Sequence, residues 1–193
     1  MRTFNKHFFM AMLWLLPFVS TQANASGLFV QGGLHFGGDE LASVSFVGGS
    51  NEEIDAGGLL SFTIGMDAAL NESIGLRVGL GTKFDTVSAE NGDVDFSRIV
   101  LDALLFYHVS EDWHLGAGFT HHSSVEFTGS GFASGLDVDF DDATGLLLAL
   151  DYQLNERGYV GARLTQIDYT IPNVTGEASG NSIGVVIGYR FGH

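Results

Sequence analysis

The chain has 193 residues, a formal net charge of −15, no cysteine, and 27 glycines against two prolines. A chain this acidic has no basic stripe to meet phosphates, which excludes nucleic acid as a partner, and without cysteine no disulfide contributes to stability. Mean hydropathy is positive, +0.20, yet nothing beyond residue 25 is apolar enough for a helical span; that combination points to a membrane crossed by strands.

Residues 1–25 carry Arg2 and Lys6, an apolar run over 8–19, and the small-x-small triplet Ala23-Asn24-Ala25. This reads as a secretory signal peptide cleaved after Ala25. The run is too short for a transmembrane helix, which needs roughly 20 residues. One domain is then expected over 26–193.

The first strand falls at 28–36, with Leu28, Val30, Leu34 and Phe36 on one face and Phe29, Gln31, Gly33 and His35 on the other. A short strand at 41–47, a turn at 48–51 and a return at 54–58 read as a hairpin standing beyond the barrel strands. The second strand, 59–70, sets Leu60, Phe62, Ile64 and Met66 against Ser61, Thr63, Gly65 and Asp67. A tight turn at Asn71 leads to the third, 74–84, where Leu76, Val78 and Leu80 alternate with Arg77, Gly79, Gly81 and Lys83. A polar loop is expected at 85–93.

The fourth strand, 97–109, opposes Ile99, Leu101, Ala103, Leu105 and Tyr107 to Arg98, Asp102 and His108. After a turn at Ser110 the fifth, 113–124, opposes Trp113, Leu115, Ala117 and Phe119 to His114, Gly116, Gly118, Thr120 and His122. A long loop at 125–139 precedes the sixth, 140–153, with Leu146, Leu148, Leu150 and Tyr152 in one phase and Asp151 in the other. The seventh, 159–169, loses phase at Ile167-Asp168-Tyr169, where a bulge fits. After a loop at 171–180 the last strand, 181–191, alternates Ile183, Val185, Ile187, Tyr189 and Phe191 with Ser182, Gly184, Val186, Gly188 and Arg190.

Period-two alternation over every segment, with short turns on one side and long loops on the other, predicts an all-β fold: an eight-stranded antiparallel transmembrane β-barrel with short periplasmic turns and longer extracellular loops. The count rises to ten if the 41–56 hairpin joins the wall. A barrel in water would need a second phase rich in Lys, Glu and Gln; here it is rich in Gly with scattered Arg and Asp. The apolar phase therefore faces lipid, with Trp113, Tyr107, Tyr152, Tyr189 and Phe191 as an aromatic girdle near the short turns.

Three sets of residues bear on chemistry. Asp67, Arg77, Arg98, Asp102, Asp151, Arg163 and Arg190, with Lys83, share the inward phase. In a narrow lumen such charges must pair, which makes them a structural plug; a conducting pore is the alternative. Asp137, Asp139 and Asp141, with Asp142, alternate as calcium ligands do but lack the glycine and terminal glutamate of an EF-hand, so a solvated acidic rim is the plainer reading. Most other acids also lie on the long-loop side, which would repel lipopolysaccharide unless divalent cations bridge the two. The seven histidines give no metal-ligand spacing beyond the adjacent pair His121-His122, and no metal or cofactor is expected.

His121, Ser123 and Glu126 form the third set: His-x-Ser places both side chains on one face, where a carboxylate can orient the imidazole. The segment resembles the outer-membrane lipid A 3-O-deacylases, which carry a strand-borne His-x-Ser-Asn and a later Glu. Ser124, read as inward-facing with His122, stands where that family has Asn, and only Asp137, Asp139, Asp141 and Asp142 follow. More broadly the signal segment, the Gly-rich strands, Gly116-Ala117-Gly118-Phe119-Thr120-His121, Asp139-Phe140-Asp141-Asp142 and the Tyr189-Arg190-Phe191 ending resemble the small porin-like outer-membrane barrels of the OmpA/OmpX/OmpW and opacity-protein type. That likeness implies a bacterial outer-membrane location, a monomer in contact with outer-membrane lipid and lipopolysaccharide, and assembly by the barrel-assembly machinery through Tyr189 and Phe191, although Gly192-His193 follows the usual terminal aromatic. It implies a non-enzymatic envelope protein first, a narrow channel for small or hydrophobic solutes second, and a lipid A esterase third.

Overall fold

The computed structural model describes residues 26–45, 51–89, 92–172 and 175–191. The expected signal segment, the 46–50 turn and Gly192-His193 lie outside the described residues. The strands in chain order are β1 (Ser26–Phe36), β2 (Glu40–Ser45), β3 (Asn51–Asp55), β4 (Leu60–Ala69), β5 (Ile74–Ala89), β6 (Gly92–His108), β7 (Trp113–Gly129), β8 (Val138–Asp139), β9 (Ala143–Gln153), β10 (Gly158–Gln166), β11 (Asp168–Thr170), β12 (Glu177–Ser179) and β13 (Ser182–Phe191).

Eight of these make the wall, in the order β6-β5-β4-β1-β13-β10-β9-β7, and β6 pairs with β7 to close it. Every wall pairing is antiparallel, and β8 is a short addition to β7. Closure gives each wall strand two paired neighbours, which a chain in hydrocarbon requires because no water is there to satisfy a free edge. Leu34, Phe62, Ile64, Leu80, Leu105, Phe119, Leu148, Leu164 and Ile187 are all exposed on the outside. The aromatic girdle is assembled at the short-turn end: Trp113 lies 4.9 Å from Tyr152, and Tyr189 lies 5.0 Å from Phe191 between ring centroids. This is the exterior of a membrane-spanning barrel.

The early hairpin adds no wall strand. β2 and β3 pair only with each other, and β11 and β12 form a second separate two-stranded sheet. The blurred phase at 167–169 is thus where the chain leaves the wall rather than a bulge within it. Residues 85–89 and 92–93 of the expected loop are instead strand: β5 and β6 stay paired to Ala89↔Gly92, and β7 runs on to Gly129. β9, for its part, starts at Ala143 rather than 140.

On these extensions the polarity of the two faces inverts. Below Asp85 the inward positions of β5 are Arg77, Gly79, Gly81 and Lys83; above it the inward residue is Val87, and Thr86 and Ser88 face out. β6 repeats this, with Val94 and Phe96 buried above Arg98. The inversion follows from the change of solvent, hydrocarbon below and water above.

A bulge on β7 carries the third strand through the same inversion. Pairing with β6 shifts between Ser97 and Ile99, and Ser124 sits at φ 49°. Ser124 is therefore exposed, not inward as its alternation predicts, and Val125 and Phe127 turn into the core in its place.

Candidate functional site: the lumen and its two ends

The bore holds three levels. At the lowest, inward charges from five strands form one network. Arg77 grips Asp67 with Nε at 2.6 Å and Nη2 at 3.0 Å, and donates Nη1 to Asp151 Oδ2 at 2.8 Å. Arg163 Nη1 donates to the other Asp151 oxygen at 2.5 Å, and Arg190 Nε to Asp67 Oδ2 at 2.7 Å. Gln31 Oε1 accepts from Arg163 Nη2 at 2.9 Å and from the Tyr159 hydroxyl at 3.2 Å. The Arg77 guanidinium is also boxed by the rings of Phe29, Phe106 and Tyr159, at 4.6–4.9 Å. Asp151 is 0% exposed, so its charge depends wholly on these donors. Tyr159 fits only because Gly188 faces it: a methyl group there would run into the ring.

Above this lies a small polar chamber of about 30 Å³, lined among others by His35, Lys83, Asp102, Thr120, His122 and Arg163. Lys83 Nζ donates to Ser182 Oγ at 3.2 Å, and His35 Nε2 stands 2.9 Å from Ser61 Oγ. Asp102 Oδ1 has no donor. Arg98 is 1% exposed, yet Nε, Nη1 and Nη2 all lack a hydrogen bond. Its guanidinium lies 4.5 Å from the Phe96 ring and 5.8 Å from that of Tyr169, against the Gly58 backbone at φ +65°. The inward ions therefore divide: Asp67, Arg77, Asp151, Arg163 and Arg190 are paired, and among the described residues Arg98, Lys83 and Asp102 enter no ion pair.

The third level is an apolar dome. Ile54, Val87, Val94, Phe96, Val125, Phe127, Phe140, Ile167 and Tyr169 pack as one buried cluster. Phe96, Phe140 and Tyr169 meet pairwise edge to face at 5.8–6.2 Å, a favoured geometry for aromatic rings. Tyr169 also reaches down, its hydroxyl 2.5 Å from His122 Nδ1. Burial pushes the Tyr169 phenol up to about 12. The covering segments hold one another: Asp39 N donates to Ser179 O at 2.7 Å, Ser179 N to Asp39 Oδ2 at 2.8 Å, and Asp141 N to Thr170 O at 2.8 Å.

Below the ion network the bore opens into a vestibule of about 490 Å³, lined by Asp67, Arg77, Phe106, His108, Glu111, Asp112, His114, Gln153, Glu156 and Arg190 among others. The other end has no basic side chain to match. Of the Lys and Arg residues beyond residue 25, Arg77, Lys83, Arg98, Arg163 and Arg190 are in the bore and Arg157 is in a short turn. Asp39, Glu40, Glu53, Asp137, Asp139, Asp141, Asp142, Asp168 and Glu177 are exposed around the dome.

No family model matches the sequence, and no curated protein matches it. Among solved structures, neisserial surface protein A superposes at a TM-score of 0.53 with 13% identity, over 89% of this chain and 100% of that one. The attachment invasion locus protein Ail of Yersinia pestis, in complex with the heparin analogue sucrose octasulfate, superposes at 0.52 with 13% identity, over 86% and 97%. The fold is that of the small outer-membrane β-barrels.

On the outside of this barrel, His121 and Ser123 share the lipid-facing side of β7. His121 Nδ1 lies 2.9 Å from Thr144 Oγ1, and Glu126 follows beyond the bulge, paired in register with Ser97 and Asp139. The Asp137, Asp139 and Asp141 set does not converge on a cation. Asp137 Oδ1 accepts from Gly129 N at 3.3 Å, Asp141 Oδ2 accepts from Thr170 Oγ1 at 3.3 Å, and among the described residues no three His, Cys, Asp or Glu are grouped to hold a metal. Sequence reasoning missed the dome. Its signal was available in the inverted alternation of Val87, Val94, Phe96, Val125 and Phe127.

Proposed function

We propose that the chain is a non-enzymatic integral protein of the bacterial outer membrane, exported by residues 1–25 and assembled by the barrel-assembly machinery through its closing strand. Its barrel is a sealed anchor, and its working surface is the acidic dome. The observation that carries this reading is double closure: an ion network with Asp151 at its centre crosses the lower bore, and a separate apolar core roofs the upper one. Either layer alone would interrupt a water column.

The dome presents carboxylates with no Lys or Arg among the described residues there. Such a face favours cationic partners, and it meets anionic lipopolysaccharide only through divalent cations, which supports a role in envelope integrity or surface interaction. A polyanion like that bound in the Ail structure is disfavoured. Planar-bilayer recording of the purified protein tests the seal. The expected result is no unit conductance, and discrete channel openings by the unmodified chain would replace this reading with the narrow-channel one. Mass spectrometry of lipid A with and without His121→Ala and Ser123→Ala tests the esterase alternative, which gains support from the lipid-facing side that both residues share; no change in acylation is expected.

A further inference from the structure

His108 on β6 and His114 on β7 are register partners. The His108 N–H donates to Ser73 O, on the far side from β7, at 2.9 Å, so the two histidines form a non-hydrogen-bonded pair, the kind whose side chains stand closest. Their rings stack, with centroids 4.3 Å apart and planes 28° apart. Stacked rings hold their nitrogens side by side, so chelation of one ion turns one ring about its side-chain torsions into the open vestibule, and the neutral imidazole is the form that ligates metals. Both line the open vestibule with Glu111 and Asp112 of the connecting turn. Gln153 lines it too and leaves its buried Oε1 without a donor, a second sign that an electropositive guest belongs there.

We propose that His108 and His114 form a two-imidazole chelate for a divalent transition-metal ion at the periplasmic mouth of the barrel. Among the described residues no third His, Cys, Asp or Glu completes a set of three, so oxygen from Gln153 or water fills the remaining positions. An imidazole-led site of this kind takes Cu²⁺ most tightly, Ni²⁺ and Zn²⁺ less so, and leaves Mg²⁺ and Ca²⁺ to oxygen-rich sites. The Glu111, Asp112 and Glu156 carboxylates around the mouth raise the local cation concentration against the opposing charge of Arg77 and Arg190. The site is independent of the sealed-anchor reading, since it lies below the ion network.

Trp113 precedes His114 and is the only tryptophan beyond residue 25, so bound Cu²⁺ reports itself by quenching. Untagged protein purified from outer membranes in detergent is titrated with Cu²⁺, Ni²⁺, Zn²⁺ and Mg²⁺. Trp113 fluorescence and the nitrogen hyperfine lines of the copper spectrum are recorded, and folding is checked by circular dichroism. One copper per barrel with two nitrogen ligands is expected. His108→Asn and His114→Asn, made separately, should each weaken binding by more than about tenfold while the barrel stays folded; His121→Asn and His193→Asn should change nothing. Unchanged copper affinity in either vestibule variant, loss of binding in His193→Asn instead, or equal affinity for Mg²⁺ would overturn the proposal.

Discussion

Arg77 and Asp151, 74 residues apart, meet across the bore with Nη1 and Oδ2 at 2.8 Å and neither side chain more than 4% exposed. The contact ties β5 to β9, strands that share no edge in the wall. Replacing Asp151 with Asn leaves Arg163 without a carboxylate, while Arg77 keeps Asp67, and removing one partner of a buried pair costs about 3–5 kcal/mol. Equilibrium urea unfolding in detergent should show that loss for Asp151→Asn, and a smaller one for Asp151→Asn combined with Arg163→Met. A single variant as stable as the parent would mean that the network contributes nothing.

Leu148 is 53% exposed near mid-height of β9. Leu148→Arg should destabilise the barrel in lipid vesicles by about 2–4 kcal/mol. Ser88→Arg, on the water-washed extension of β5, should be near neutral. Equal effects at the two positions would refute the placement of the hydrocarbon boundary.

Gly188 and Gly32 separate crowding from flexibility. A methyl group at Gly188 collides with the Tyr159 ring, whereas at Gly32 it meets only the Ser61 carbonyl at 3.9 Å. Gly188→Ala should cost about 1–3 kcal/mol by overpacking, and Gly32→Ala should cost almost nothing, both by the same unfolding assay.

Asp55, on the β3 hairpin outside the membrane, has its carboxyl raised above the usual range by burial first, then by Asp85, Glu53 and Glu40. A carboxyl with a raised native pKa favours the folded state when protonated. Its contribution is full below the unfolded value and is lost as pH rises through the native one. Asp55→Asn should therefore raise the melting temperature of the protein in detergent slightly at pH 7 and leave it unchanged near pH 3. A larger gain at pH 3 would reverse the sign.

The wall was legible because hydrocarbon imposes one rule on every strand: Leu60 to Met66, Leu146 to Tyr152 and Ile183 to Phe191 each betray their lipid-facing side by period two alone. The same rule misled beyond the membrane. Thr86, Ser88 and Asp93 read as loop because they are polar where a lipid-facing residue was sought, although Val87, Val94 and Phe96 keep strand phase. Ser124 was misplaced because a single positive-φ residue reverses the faces after it, and nothing in Ser123-Ser124-Val125 announces that. The ion set was visible as a set, but its division was not. Which carboxylate reaches which guanidinium depends on stagger between strands: Asp67↔Arg77 are direct partners, whereas Arg98 faces Lys83. The pairing of His108 with His114 is hidden for the same reason, because only register shows that the Ser110 turn lays one upon the other.

The seam between β1 and β13 runs from Leu28↔Phe191 to Phe36↔Ile183, joining the first described strand to the last. No ring can be completed until β13 has been made, so every product that stops short of it keeps two raw edges. Deletion of either strand should thus yield an open, protease-sensitive sheet rather than a smaller barrel, and the integrity of the fold reduces to whether β1 and β13 have met.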